Sequence, residues 1–160
     1  MEIYLIGQYG AFLQLFIAAV LGMLLGTERS LAGKMAGMRT YGLVSMGACL
    51  FIVVSVSVSE SLAAYTSVDP LRVFEGVVTG VGFIGAGMIL FKEAALKGLT
   101  TAAGLWIAAG IGIAVGYGLF AIAIFATLLT LFIFTVMWFI ENKIRLFKAE
   151  HDENHSEAEN

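Results

Sequence analysis

Asp69-Pro-Leu-Arg72-Val-Phe-Glu75-Gly76-Val-Val-Thr-Gly80-Val-Gly82-Phe-Ile-Gly85-Ala-Gly87 is a helix opening followed by a glycine-threaded apolar run, and Gly98-Leu-Thr-Thr-Ala-Ala-Gly104-Leu-Trp106 follows it closely. Asp then Pro is helix-start chemistry, because the Asp side chain accepts from an early orphan N–H and Pro is preset for the first helical position. Glycine removes the side chain that holds neighbouring backbones apart, so a glycine-rich tract in a hydrophobic segment predicts close helix contact or a backbone-lined path. An ordinary lipid-facing helix needs neither. Glu75 lies inside the same tract, where an ionisable group is expensive.

Outward from this stretch the chain stays apolar. Its 160 residues are 59% hydrophobic and 13% charged, with a mean hydropathy of +0.92. Soluble domains do not reach that content, so the chain reads as an integral membrane protein with one domain. A bilayer core about 30 Å thick needs roughly 20 apolar residues of helix. Five segments approach that length: Ile3 to Leu25, Tyr41 to Val58, Leu71 to Phe91, Leu99 to Val115 and Leu119 to Ile140. The fold expected is an all-α bundle of five transmembrane helices over residues 1–148, with a polar, disordered cytoplasmic tail at 149–160. The fourth segment is the shortest, and a re-entrant hairpin is the rival reading for it. The fifth has no charge and no glycine and reads as lipid-facing, with Trp138 as an interfacial anchor.

Charge sets the orientation. Arg29, Lys34 and Arg39 lie between the first two segments, Lys92 and Lys97 between the third and fourth, and Lys143, Arg145 and Lys148 after the fifth. Between the second and third stand only Arg72 and the acids Glu60 and Asp69. The positive-inside rule then places the N-terminus outside and the C-terminus in the cytoplasm. No basic residue precedes Arg29, which argues against a cleaved secretory signal. The single cysteine, Cys49, excludes an intramolecular disulfide, and no nucleic-acid footprint is present.

Two groups of polar residues are candidate sites. Asp69, Arg72 and Glu75 are spaced by three and can form an acid, base, acid ladder on one helix face, read either as structural pairing or as an ion path. Magnesium keeps several waters and takes few protein carboxylates, so Asp69 and Glu75 are the residues that would contact it. Glu28, Arg29, Arg39 and Thr40 form a cytoplasmic-side cluster in which Glu28 pairs with Arg39 across two helix ends, as a clamp or as part of a binding surface. Small-xxx-small pairs occur at Gly22 and Gly26, Gly76 and Gly80, and Gly112 and Gly116, and predict packing within one bundle or in a homodimer. Together with Gly82, Gly85, Gly87 and Gly104, the first two pairs are the expected packing glycines, with the third and fourth helices in close contact. His151 and His155 lie in the polar tail, where no fold fixes a third metal ligand. No catalytic constellation of nucleophile and base occurs in the membrane portion, and no enzyme activity is expected.

Four motifs in order carry a resemblance: Gly22-Met-Leu-Leu-Gly26-Thr-Glu28-Arg29, Ala36-Gly-Met-Arg39-Thr40, Asp69-Pro-Leu-Arg72 leading to Gly80-Val-Gly82-Phe-Ile-Gly85-Ala-Gly87, and Gly98-Leu-Thr-Thr-Ala-Ala-Gly-Leu-Trp106. With them the chain closely resembles the MgtC/SapB family of bacterial inner-membrane proteins, from Leu13 to Thr135. The resemblance implies a link to magnesium limitation and to virulence inside host cells, and control of membrane partners including ATP synthase. It implies no cofactor beyond a possible role for Mg2+. Members of the MgtC type add a soluble cytoplasmic domain after the last span, and the resemblance here concerns the membrane part. The function expected is regulation of membrane partners or of ion homeostasis under magnesium stress. The alternative is a small cation transporter or channel with its path along the third and fourth helices and Glu75 selecting the ion.

Overall fold

The computed structural model describes residues 2–62, 69, 71–92 and 95–158. The elements are α1 (Glu2–Leu31), α2 (Met38–Leu62), α3 (Leu71–Gly87), β1 (Leu90–Lys92), β2 (Ala95–Lys97), α4 (Leu99–Gly116) and α5 (Phe120–Ala158). Four helices are long and apolar enough to cross a membrane, over Tyr9–Leu31, Met38–Leu62, Leu99–Gly116 and Phe120–Ile144. The expectation of five such helices meets an exception at α3, which has 17 residues and not the run to Phe91 that hydropathy suggested. At 1.5 Å per residue it is about 25 Å long, short of a hydrocarbon core of about 30 Å. Its end is a tight turn, in which Met88 N–H donates to Gly85 O and Ile89 N–H to Ala86 O, each at 3.1 Å. The chain then enters an antiparallel hairpin pairing Leu90 with Lys97, Phe91 with Leu96 and Lys92 with Ala95. Apolar composition alone had joined this hairpin strand to the helix.

The fourth segment is one unbroken helix of 18 residues, so α3 and not α4 is the shortest. Its C-terminal turn is where the Gly116-Tyr-Gly118 break was expected: Leu119 N–H reaches Ala114 O at 2.8 Å and Gly118 N–H reaches Val115 O at 2.9 Å. At the other end of the chain, α5 carries through Ala158, over residues that had been expected to form a disordered tail. Three Glu and two Ala stand among residues 149–158, without Gly or Pro, and such residues extend an existing helix at little cost. Pro70 and residues 159–160 lie outside the described residues.

Helix α4 is the centre of the bundle, touching α1, α2, α3 and α5. It is suited to that place by small residues. Ala108 and Ala109 are buried, a Cβ on Gly116 would lie 2.8 Å from Ile52 Cβ, and one on Gly112 would run into the Ser45 backbone carbonyl. The first helix closes on the second in the same way. A Cβ on Gly22 would lie 2.7 Å from Ser45 Cβ, and one on Gly26 would lie 2.7 Å from Gly37 O. Ser45, fully buried, is thus the point where α1, α2 and α4 converge.

The glycines of α3 behave differently. A Cβ on Gly85 would lie 3.5 Å from Ala102 Cβ of α4, but one on Gly76, Gly80, Gly82 or Gly87 would find nothing within 4 Å among the described residues. The expectation that α3 and α4 pack through these glycines is therefore corrected. The contact uses the valine edge instead: Val73, Val77 and Val81 lie with Ala48 and Ile52 of α2 and with Ala109 and Ile113 of α4. Gly80→Ala is accordingly expected to leave the isolated bundle intact and raise its stability by up to about 1 kcal/mol, the helix-propensity difference. Thermal unfolding in detergent checks this, and a loss of stability would show that the open face is covered.

Candidate functional site

Helix α1 ends in a glycine-capped turn that positions two cations. Gly33 has φ 64°, its N–H donates to Ser30 O at 3.1 Å, and the Lys34 N–H reaches back to Arg29 O at 2.9 Å. This is the paired hydrogen-bond pattern of a Schellman ending, which needs the left-handed residue that glycine supplies. Lys34 is thereby held beside the last turn that carries Arg29.

Arg29 is 3% exposed. A buried guanidinium needs partners, and it has two. Its Nε pairs with Glu28 Oε2, and its Cζ stands 3.7 Å from the centroid of the Phe134 ring of α5. The two terminal nitrogens make no hydrogen bond among the described residues. Next to this pair Tyr41, fully buried, donates from its hydroxyl to Thr101 O of α4 at 3.3 Å. Gly104 makes room for it, since a Cβ there would strike the Tyr41 hydroxyl and lie 2.8 Å from Phe134 Cζ. One end of the bundle is therefore tied together by polar and aromatic groups from α1, α2, α4 and α5.

Of the cluster expected here, Glu28 and Arg29 are together and Arg39 is not. Glu28 pairs with its chain neighbour, while Arg39 is exposed and Thr40 is half-buried. The expected Glu28 to Arg39 clamp is corrected, because the Phe134 face offers Arg29 a buried seat beside the same carboxylate. Sequence reasoning missed Tyr41, Thr101, Phe134 and Lys34 as members. A tyrosine and a phenylalanine in apolar helices carry no local signal of what faces them.

The second group lies on α3. Asp69 Oδ1 accepts from Leu71 N–H at 2.9 Å, which is the helix-start role expected of it. Asp69, Arg72 and Glu75 are all exposed, and no ion pair joins them among the described residues. The acid, base, acid ladder thus exists as a spacing on an outward face and not as a set of contacts. Thr79 continues it, one turn beyond Glu75, its Oγ1 donating to Glu75 O at 2.9 Å. Among the described residues no group of three or more His, Cys, Asp or Glu is placed to hold a metal ion. Between α2 and α3 runs an apolar groove of about 560 Å³, lined by Gly47, Gly76 and Gly80 among aliphatic residues.

A polar tie is also present at the opposite end of α4. Gln14 of α1 donates from Nε2 to Val115 O at 3.0 Å, which also accepts from Gly118 N–H, and to Gly116 O at 3.2 Å, a carbonyl of the kind that a helix end leaves free. An amide inside an apolar segment was the sequence signal that could have found it.

Apolar helices of spanning length around a small-residue centre define a multi-pass membrane protein. Residues 15–143 match the MgtC family, and the chain belongs to it. It is 41% identical over 126 residues to YhiD of Escherichia coli K12, named there as a candidate magnesium transporter, covering 78% of this chain and 59% of YhiD. It is 41% identical over 94 residues to SapB of Bacillus subtilis, covering 57% of this chain and 40% of that one. To MgtC of Salmonella typhimurium it is 42% identical over 91 residues, covering 57% and 36%. The chain thus spans between about a third and three fifths of these relatives. No solved structure matches it.

Proposed function

We propose that the protein adjusts magnesium homeostasis from the bacterial inner membrane by binding other membrane proteins, with the short α3 as a fifth crossing, so that its N-terminus lies outside and its C-terminus in the cytoplasm. The observation that carries this reading is the outward face of α3. Arg72, Glu75, Thr79 and Gly82 are exposed there, and the interior of the bundle is filled by Tyr41, Leu105, Ile111 and Val115. A charged and glycine-rich helix face toward lipid is costly unless another helix covers it, and small residues let that helix approach. The resemblance suggests ATP synthase as one such partner, and a second copy of the chain as another. No enzymatic step and no bound cofactor enter this reading.

Transport is the second reading, favoured by the name of YhiD and by Glu75 as the carboxylate nearest the middle of α3. The two separate in one experiment. Purified protein in liposomes is expected to move no magnesium above empty liposomes, and a cysteine placed at Gly82 is expected to crosslink in cells to a membrane protein. Magnesium flux that Glu75→Gln abolishes, with the folded protein still in the bilayer, would replace regulation by transport.

A further inference from the structure

Beside the Arg29 cluster, between the start of α4 and the face of α5, lies a cavity of about 680 Å³. We propose that it binds the phosphate group of an anionic amphiphile, with an acyl chain laid along α5. This goes beyond the regulatory reading and does not depend on it.

The polar end of the cavity has the composition of an anion site. Arg29 and Lys34 both line it, held together by the hydrogen bond from Lys34 N–H to Arg29 O. Arg29 is nine-tenths buried and more, it lines this cavity, and its terminal nitrogens make no hydrogen bond among the described residues. Glu28 does not line this cavity: it belongs to an adjoining hollow on the other side of Trp138, which lines both. No carboxylate is found among the described lining residues.

The start of α4 faces the same space. Gly98, Thr100 and Thr101 line the cavity, the helix has no side-chain cap and no acid in its first turn, and Gly98 takes φ 95°. A helix start leaves its first N–H groups unsatisfied and carries partial positive charge, which favours an anion there. A side chain at position 98 would strike the Met88 carbonyl, so the backbone comes bare to this place. Two cations, one of them buried, and an uncapped helix start therefore converge from two separate elements.

The other end is apolar. Leu129, Ile133 and Met137 recur at every fourth residue of α5, are 46%, 47% and 45% exposed, and line the cavity with Ile107 of α4. A small inorganic anion would use only the polar end, whereas a phospholipid uses both, with its headgroup beside the basic residues and its tail along α5.

The test uses the full chain in detergent, with thermal protection measured as phosphatidylglycerol, phosphatidylcholine of the same acyl chains, or inorganic phosphate is added. Phosphatidylglycerol is expected to protect at concentrations about tenfold below phosphatidylcholine, the preference that one or two charge-assisted contacts supply. Lys34→Gln and Thr100→Glu are expected to erase that preference. Thr100→Glu is the safer variant for folding, since an acid in the first helical turn is itself favourable there. Lys143→Gln, an exposed cation outside the cavity, is expected to keep the preference. Inorganic phosphate protecting as well as phosphatidylglycerol, with both cavity variants weakened, would uphold the phosphate site and name free phosphate as its source. Equal protection by the two lipids, with no protection by phosphate, would overturn the proposal. So would a preference that survives in both cavity variants, or one that Lys143→Gln removes equally.

Discussion

Gly112→Ala is expected to destabilise the protein by about 3 kcal/mol, the upper part of the range for overpacking a filled interior. The new methyl group would run into the carbonyl of Ser45, and that atom belongs to the backbone of α2, so no side-chain rotation relieves it. Relief requires α4 to move away from α2. That movement would also loosen the contact of α1, because a Cβ on Gly22 already has only Ser45 Cβ at 2.7 Å and Tyr41 O at 2.5 Å before it. Unfolding of the purified variant in detergent would measure the loss. Gly80→Ala serves as the reference, with the same chemical change and no atom of the described residues within 4 Å to meet it. Equal stabilities for the two variants would show that α2 and α4 are not in close contact.

Arg29→Gln is the second large effect, expected to cost about 3 kcal/mol as the price of leaving a mostly buried carboxylate without its ion partner. Glu28 is 18% exposed, and Arg29 is its only ion-pair partner among the described residues. The substitution also removes the cation from the Phe134 ring, a contact of about 1 to 2 kcal/mol where water is largely excluded. Adding Glu28→Gln removes the stranded charge and is expected to recover part of the loss. Unfolding of the two single variants and the double variant measures the coupling between them. Additive losses would mean that the pair contributes no mutual stabilisation, and the cluster would then be held by Tyr41 and Phe134 alone.

The parts of the site that the sequence disclosed are those with a local signal. Asp69 as a helix-start residue was legible in the Asp69-Pro70 pair, and in the structure its Oδ1 accepts from Leu71 N–H. Gly22 and Gly26 as packing residues follow from their spacing in an apolar segment, and both meet the second helix. Gly76 and Gly80 have the same spacing and meet nothing among the described residues, because spacing shows that a helix has a narrow face but not what lies opposite it. The Glu28 to Arg39 pairing failed for a related reason. Charge complementarity in sequence offered two arginines, and Phe134, more than a hundred residues away, selected the other.

Composition and hydropathy by themselves determined that this chain is a bundle of membrane helices, since burying so much apolar surface in water is not possible for a chain of this size, and a bilayer forces every backbone group into a helix or a closed barrel. Four motifs in order determined its family. The tertiary structure decided that α3 ends at Gly87 and turns into a hairpin, that α4 is the centre, and that its neighbours gather an arginine, a lysine and a bare helix start around one cavity. Those outcomes depend on which faces meet across long separations, and such meetings follow from side-chain volume and charge satisfied jointly in three dimensions, which no single window of residues contains.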